Sequence, residues 1–266
     1  MNLNSALTPA RPWVRGMARA GLTAKGIVYI LLGALAFMAA FELGSASDSA
    51  DQEGALSFVQ KGPGGAFLLG LISLGLLCYA AWRAVQTFSP PPEDQKWSKR
   101  LRYFISGLTY LSLSLTALRL LMHRSSQGGG GKQQLAARLL QESYGQWLTG
   151  IAALVLAGVG IYQLYYGLSK KYKKHVEQSG IRSQAARLLV SAGTIGYVAR
   201  GLVWLILAYL LFQAALHANA SEAGDTAEAF QLVERSFGSY LLGALGLGLI
   251  LYGLFSCLRA AYERFH

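Results

Sequence analysis

Acidic side chains are scarce in this sequence. Its 266 residues hold 13 Asp and Glu against 24 Lys and Arg, and no acid lies inside a long apolar run except Glu42, at the end of the first. Ion-coupled transporters commonly bury a carboxylate or histidine in the bilayer as a relay, so the absence argues against a proton-coupled pump. Cysteine is just as thin. Cys78 and Cys257 form no CxxC pair, so neither a disulfide framework nor a zinc site is indicated. The four histidines (His123, His175, His217 and His266) fall at helix ends or in tails and form no HExxH. No GxSxG nucleophile turn occurs. The run "GGGGKQQ" fails as a phosphate loop, because Ser126 stands where the first glycine is needed and Gln133 follows the lysine. Asn219-Ala-Ser221 is a glycosylation sequon only in a eukaryotic secretory setting. No catalytic residue, metal ligand or cofactor site is therefore expected.

Apolar residues are abundant. Hydrophobic side chains make up 53% of the chain and charged ones only 14%, where a soluble domain carries about a quarter charged. Six apolar runs reach the length of ~20 residues that a helix needs to span hydrocarbon. They lie at roughly 23–43, 66–88, 103–122, 147–168, 194–216 and 238–258. The expected fold is an all-α integral membrane protein with six transmembrane helices. The first run also has elements of a signal peptide, namely basic residues ahead of it and a small-x-small triplet at Gly44–Ala46. It is long for that role, and its opening phrase recurs far down the chain, so a retained helix is expected.

The phrase is "AKGIVYILLGAL" at 24–35 and "ARGLVWLILAYL" at 199–210, with a third version in "FISGLTYLSLSL". The shared glycines are Gly26, Gly107 and Gly201. Three residues on stand Tyr29, Tyr110 and Trp204, and seven residues on stand Gly33, Ser114 and Ala208. The helix that follows repeats as well: "GAFLLG", "GQWLTG" and "GSYLLG" end at Gly70, Gly150 and Gly243, and Ser73, Ala153 and Gly246 come three residues later. From the first glycine to the second the spacing is 44, 43 and 42 residues. Each unit is thus helix, loop, helix, and all three insert the same way up. Repeats of this kind are related by an axis along the membrane normal, which predicts a pseudo-threefold arrangement. The boundaries read as a basic tail (1–22), repeat 1 (23–88), a basic linker (89–102), repeat 2 (103–168), a second basic linker (169–193), repeat 3 (194–258) and a C-terminal tail (259–266).

Small residues mark helix contacts in lipid, so Gly26, Gly33, Gly70, Gly107, Gly150, Gly201 and Gly243 are the expected packing positions. The aromatic columns suit interfacial anchoring. Apolar residues at helical spacing in 55–59, 135–140 and 229–233 predict short amphipathic helices on the surface, and Gly128–Gly131 reads as a flexible linker.

"RAGLTAKGIVYILLGAL" and "GAFLLGLISLGLLCYAAWRAV" resemble the two halves of the repeat in the bacterial membrane family known as domain of unknown function 1206. The resemblance extends over nearly all of 15–264 and implies the three-unit fold and a bacterial inner-membrane location, with no activity attached. The second unit departs from it: Ser106 stands where Lys25 and Arg200 stand, and Arg102 stands where Gly21 and Gly196 stand.

Four cations sit at what reads as the inner ends of helices: Lys25, Arg83, Arg200 and Arg259. Retention of positive charge on the cytoplasmic side, with snorkelling to the interface, explains them without a ligand. The alternative is head-group binding. Lys25 and Tyr29, like Arg200 and Trp204, are four residues apart and share a helix face, which would suit an anionic lipid phosphate. The runs "SKKYKKH" and "KWSKRLRY" would attract anionic lipid at ~1 kcal/mol per basic residue, or dock an acidic cytoplasmic or membrane-protein partner. The net charge of +11 reads as topology and not as nucleic-acid binding. The function expected is non-catalytic, lipid-interacting or organising a membrane complex, with a channel for a small or apolar solute as the alternative.

The N-terminal segment, both linkers and the C-terminus are basic. The loops holding Asp48, Asp51 and Glu53, and Glu222, Asp225, Glu228 and Glu234, are acidic. The loop with Arg124, Lys132, Arg138 and Glu142 does not discriminate. Both termini are expected in the cytoplasm by the positive-inside rule. A C-terminal fluorescent fusion should be bright and a periplasmic reporter at the same site inactive; the reverse pattern would overturn this topology.

Overall fold

The computed structural model describes residues 12–43, 51–89, 97–122, 144–170, 172–173, 183–219 and 226–262. Among the described residues every element is an α-helix: α1 (Pro12–Ala40), α2 (Gln52–Lys61), α3 (Gly65–Phe88), α4 (Trp97–Leu121), α5 (Gly145–Leu168), α6 (Ser183–Leu216), α7 (Thr226–Phe237) and α8 (Ser239–Tyr262). Six of them, α1, α3, α4, α5, α6 and α8, are long and apolar enough to cross a membrane. The chain is a multi-pass membrane protein. The helix expected over 135–140 and the linker at 128–131 lie outside the described residues.

Local chemistry explains the boundaries. Pro12 opens α1, where a missing N–H costs nothing. The Asp51 carboxylate caps α2 by accepting the Gly54 N–H at 2.6 Å. Gly64 (φ 71°) and Gly238 (φ 81°) supply the left-handed residue that turns each surface helix into the span after it. The surface helices α2 and α7 bury Leu56, and Phe230 and Val233, against the bundle and leave their polar faces outward. Two spans begin well before the expected positions. α1 starts at Pro12 and α6 at Ser183, so much of the segments read as tail and linker is helix.

The helix pairs follow the repeat. The second span of each unit packs on the first span of the next: α3 on α4, α5 on α6, and α8 back on α1. One set of columns lies in each seam. Gly26, Gly107 and Gly201 face Gly253, Ala80 and Gly160, each of these ten residues after the second anchor glycine of its unit. A Cβ at Gly26 would lie 2.7 Å from the Gly253 carbonyl oxygen, one at Gly201 3.1 Å from that of Gly160, and one at Gly107 3.6 Å from that of Ala80. The next columns pair too. Gly33 meets Gly246 backbone to backbone across α1 and α8. In the α3–α4 seam the same two places hold serines, and the Ser114 hydroxyl donates to the Ser73 carbonyl at 2.9 Å while that of Ser73 reaches the Ser114 carbonyl at 3.1 Å. Buried Ala153 and Ala208 stand at the corresponding places of α5 and α6. Lipid gives no hydrophobic drive for helices to meet. Close backbone approach through small residues, with serine bonds where the approach is looser, supplies the contact instead.

Two expected packing glycines are corrected. A methyl at Gly70 or Gly150 would meet nothing within 4 Å; the burial in this turn falls on the neighbouring Leu69 and Thr149 instead. Gly243 packs on the Phe41 ring and not on a facing helix.

Within units, α1 packs on α3 and α6 on α8, but α4 and α5 do not form a packed pair. The threefold plan holds between units and is broken inside the second. The result is a horseshoe in the order α4, α3, α1, α8, α6, α5. Its end helices α4 and α5 bury 22% of their apolar window, against half or more for α1, α3 and α8.

Overpacking a tight contact costs about 1–3 kcal/mol. Gly33→Val and Gly253→Val should each lower the melting point of the detergent-purified chain measurably, while Gly70→Val should leave it unchanged. Equal effects at all three would contradict the packing scheme.

Candidate functional site

Three of the four flagged cations turn inward. Lys25 is only 6% exposed. Its ammonium lies 5.3 Å from the Tyr79 ring centre, 5.3 Å from that of Tyr252 and 5.5 Å from that of Tyr110. It also donates to the Tyr79 hydroxyl at 3.5 Å. The Arg200 guanidinium sits 5.1 Å from the Tyr29 ring and 4.9 Å from that of Tyr252, and Nη1 donates to the Tyr252 hydroxyl at 2.6 Å. Arg83 meets the same tyrosine as Lys25. It sits 4.9 Å from the Tyr79 ring, and its Nε donates to the Tyr79 hydroxyl at 3.0 Å. Its Nη1 donates to Gln86 Oε1 at 2.6 Å. Five helices thus meet at one place: α1 gives Lys25 and Tyr29, α3 gives Tyr79 and Arg83, α4 gives Tyr110, α6 gives Arg200 and α8 gives Tyr252.

The rings hold one another edge to face, Tyr29 on Tyr252 at 4.8 Å and Tyr79 on Tyr110 at 4.6 Å. An aromatic chain continues through Tyr197, Phe255 and Tyr172 towards the basic end, where α1, α4 and α6 begin. Tyr172, from the lysine-rich run "SKKYKKH", is fully buried and is bonded to Thr194 Oγ1 at 2.6 Å. That run is therefore tied to the bundle by its tyrosine, while Lys170 and Lys173 remain exposed.

The burial of the cluster is unusual for a charge. Lys25 lies 13 residues from the start of α1 and 15 from its end, or about 20 Å and 22 Å along the axis. The segment ahead of it (12–22) is basic, so Lys25 stands near the inner end of the apolar stretch, but it is buried among rings, and the expectation that it snorkels to the interface is corrected. The expected same-helix pairs change as well. Lys25 meets rings on α3, α4 and α8, and Arg200 meets rings on α1 and α8. Trp204 is half-buried. Tyr29 and Tyr110, expected as interfacial anchors, are each 4% exposed and line the centre. Arg259 lies apart, 5.9 Å from the Phe255 ring.

The electrostatics are one-sided. Burying a cation away from water is costly, and a desolvated cation–π contact returns about 2 kcal/mol. The rings thus make these positions tolerable but leave three positive charges together. No carboxylate lies in any of the six spanning helices. Lys and Arg carry only donors, and the phenol oxygens are few. Tyr79 Oη already receives Lys25 and Arg83, and Arg200 Nε is buried with no hydrogen-bond partner among the described residues. The centre has a surplus of donors and of positive charge, and an oxyanion would satisfy both.

Tyr79 and Tyr252 carry much of this site and were not among the expected residues. They share a column, nine residues after Gly70 and Gly243, and Val159 fills that place in the second unit. The column breaks in one unit of three, so the repeat pattern does not flag it.

The model of the family described as Domain of Unknown Function (DUF1206) matches residues 20–89, 101–170 and 195–263, which are the three units of the bundle. An uncharacterized protein of Bacillus subtilis (strain 168), YxxB, is 31% identical over 258 residues, covering 95% of this chain and 92% of its own length. No solved structure matches. The chain belongs to the DUF1206 family, as its repeat phrases implied.

Proposed function

We propose that this member of the DUF1206 family is a non-catalytic membrane protein that holds an anionic lipid by its head group. The observation that carries the reading is the convergence of Lys25, Arg83 and Arg200 on four tyrosines with no carboxylate in any span. Phosphate oxygens would accept the surplus N–H groups, and the negative charge would offset the cluster's excess. Tyrosine rings tolerate both cations and acyl chains, so the lining suits a group that is charged at one end and apolar at the other. The basic run at Lys96–Tyr103 and the exposed Lys170 and Lys173 supply an attractive field around the same end of the bundle. With that end at the cytoplasmic leaflet of the bacterial inner membrane, the ligand comes from the leaflet where the positive-inside rule places the cations. Rings packed edge to face across the centre favour a holding site over an open path for solute.

Hydrogen bonds to charged groups contribute about 1.5–3 kcal/mol each, so losing one cation should weaken retention by roughly tenfold or more. In native mass spectra from mixed phosphatidylglycerol and phosphatidylcholine nanodiscs, the wild-type chain should retain phosphatidylglycerol. Lys25→Gln and Arg200→Gln should lose it, and Lys25→Arg should recover it. A parallel melting series with inorganic phosphate in lipid-free detergent separates the sources, because stabilisation by phosphate alone, without lipid retention, would assign the site to a free anion. Unchanged lipid retention in both Gln variants would contradict the reading.

A further inference from the structure

The second unit has lost the residues that close the other two. In unit 1 the α1–α3 pair closes on Gly21 and Ala24, against Tyr79 and Gly75; a Cβ on Gly21 would lie 2.7 Å from Tyr79 N, and one on Gly75 2.5 Å from Ala24 Cβ. Unit 3 repeats the arrangement with Gly196 on Tyr252 and Ala199 on Gly248. The corresponding residues of unit 2 are Arg102, Ile105, Val155 and Val159. Arginine and β-branched side chains cannot seat two backbones together, which is the physical reason that α4 and α5 stand apart. Positions buried in both other units are uncovered here, with Ile105 50% exposed, Val155 53% and Tyr162 45%. A contact across the opening lies at its basic end, where Arg102 Nη1 donates to the Tyr162 hydroxyl at 3.0 Å and the guanidinium lies 5.4 Å from the Tyr162 ring.

We propose that this seam is the lateral binding groove of an anionic phospholipid. Its head group sits at Arg102 and its chain lies along Ile105, Val155 and Val159. Two observations choose lipid over a helix. The seam has exchanged small residues for bulky ones, and helices in bilayers dock through small residues. Arg102 also stands at the basic end beside an apolar strip, the polarity of a lipid head group and its chain, while the other exposed arginine of α4, Arg119, lies in its last turn at the far end. The seam and the centre share α4: Tyr110, eight residues above Arg102, is one of the three rings around Lys25. The inference rests on the reading of the central site in this one respect, that the groove is the route by which the same lipid class reaches it.

The test uses the full chain with Cys78→Ala and Cys257→Ala in phosphatidylcholine vesicles. A bimane probe is placed at Ile105→Cys or Val155→Cys in the seam, and at Leu74→Cys on the exposed face of α3 as control. Quenching by brominated phosphatidylglycerol relative to brominated phosphatidylcholine should be about fivefold higher in the seam than at the control, from one basic residue near the surface. Arg102→Gln should return it to the control value. Equal ratios at seam and control would overturn the proposal. Protection of the seam from both lipids, with a dimer mass, would assign it to a second copy and overturn it as well. The central site is judged separately by the retention measured for Lys25→Gln and Arg200→Gln. Seam enrichment with unchanged retention sinks the central site alone, and lost retention with a flat seam ratio sinks the groove alone.

Discussion

Lipid supplies neither water to satisfy polar groups nor a hydrophobic drive to bring helices together. The contact between the second span of each unit and the first span of the next therefore has to be made by shape. It is made three times from the same columns: Gly253 on Gly26, Ala80 on Gly107 and Gly160 on Gly201. The tightest of the three, α8 on α1, brings the last unit against the first and fixes where everything else falls. It carries Tyr252, already bonded to Arg200 of its own unit, to Lys25, and it leaves α1 at the middle of the horseshoe with a share of both apolar cores.

The centre follows from that closure. A lysine that its own hairpin supplies with one ring, from α3, gains two more from α4 and α8. The same approach brings Arg200 onto Tyr29, so the cation of one unit is seated by an aromatic of another. Ser106 replaces the cation in the middle unit, and the middle unit contributes a ring to the centre and no charge. The departures in that unit are of one kind. It gives up the glycines that would close it, gives up a cation and a tyrosine, and gains an arginine at the basic rim. Three copies of one hairpin share the plan, and the ring is open on the side of the copy that departs from it.

Much of the architecture was legible in the sequence, because its causes are periodic. Spans, repeat units and the columns led by Gly26 and Gly33 all follow from spacing. What spacing could not give is which column faces which. Ser73 and Ser114 both stood out as small residues, but that they bond each other depends on α3 lying against α4. Gly70 and Gly150 have the same repeat signature as Gly26 and face open space. The site was half legible. Lys25, Arg200, Arg83 and Tyr29 were flagged, but their partners come from helices 50 or more residues away in several cases, as with Lys25 and Tyr79, 54 residues apart. Hydropathy also placed Lys25 at a helix entrance, because the helical segment ahead of it (12–22) is basic and not apolar enough to register.

The central claim is that the cluster of Lys25, Arg83 and Arg200 receives an anionic group. The most direct measurement is an electron cryo-microscopy structure of the chain in phosphatidylglycerol nanodiscs. The account predicts density for a phosphate within hydrogen-bond reach of all three side chains, continuous with an acyl chain. A centre in which the tyrosines close on the three cations with no density between them would contradict it.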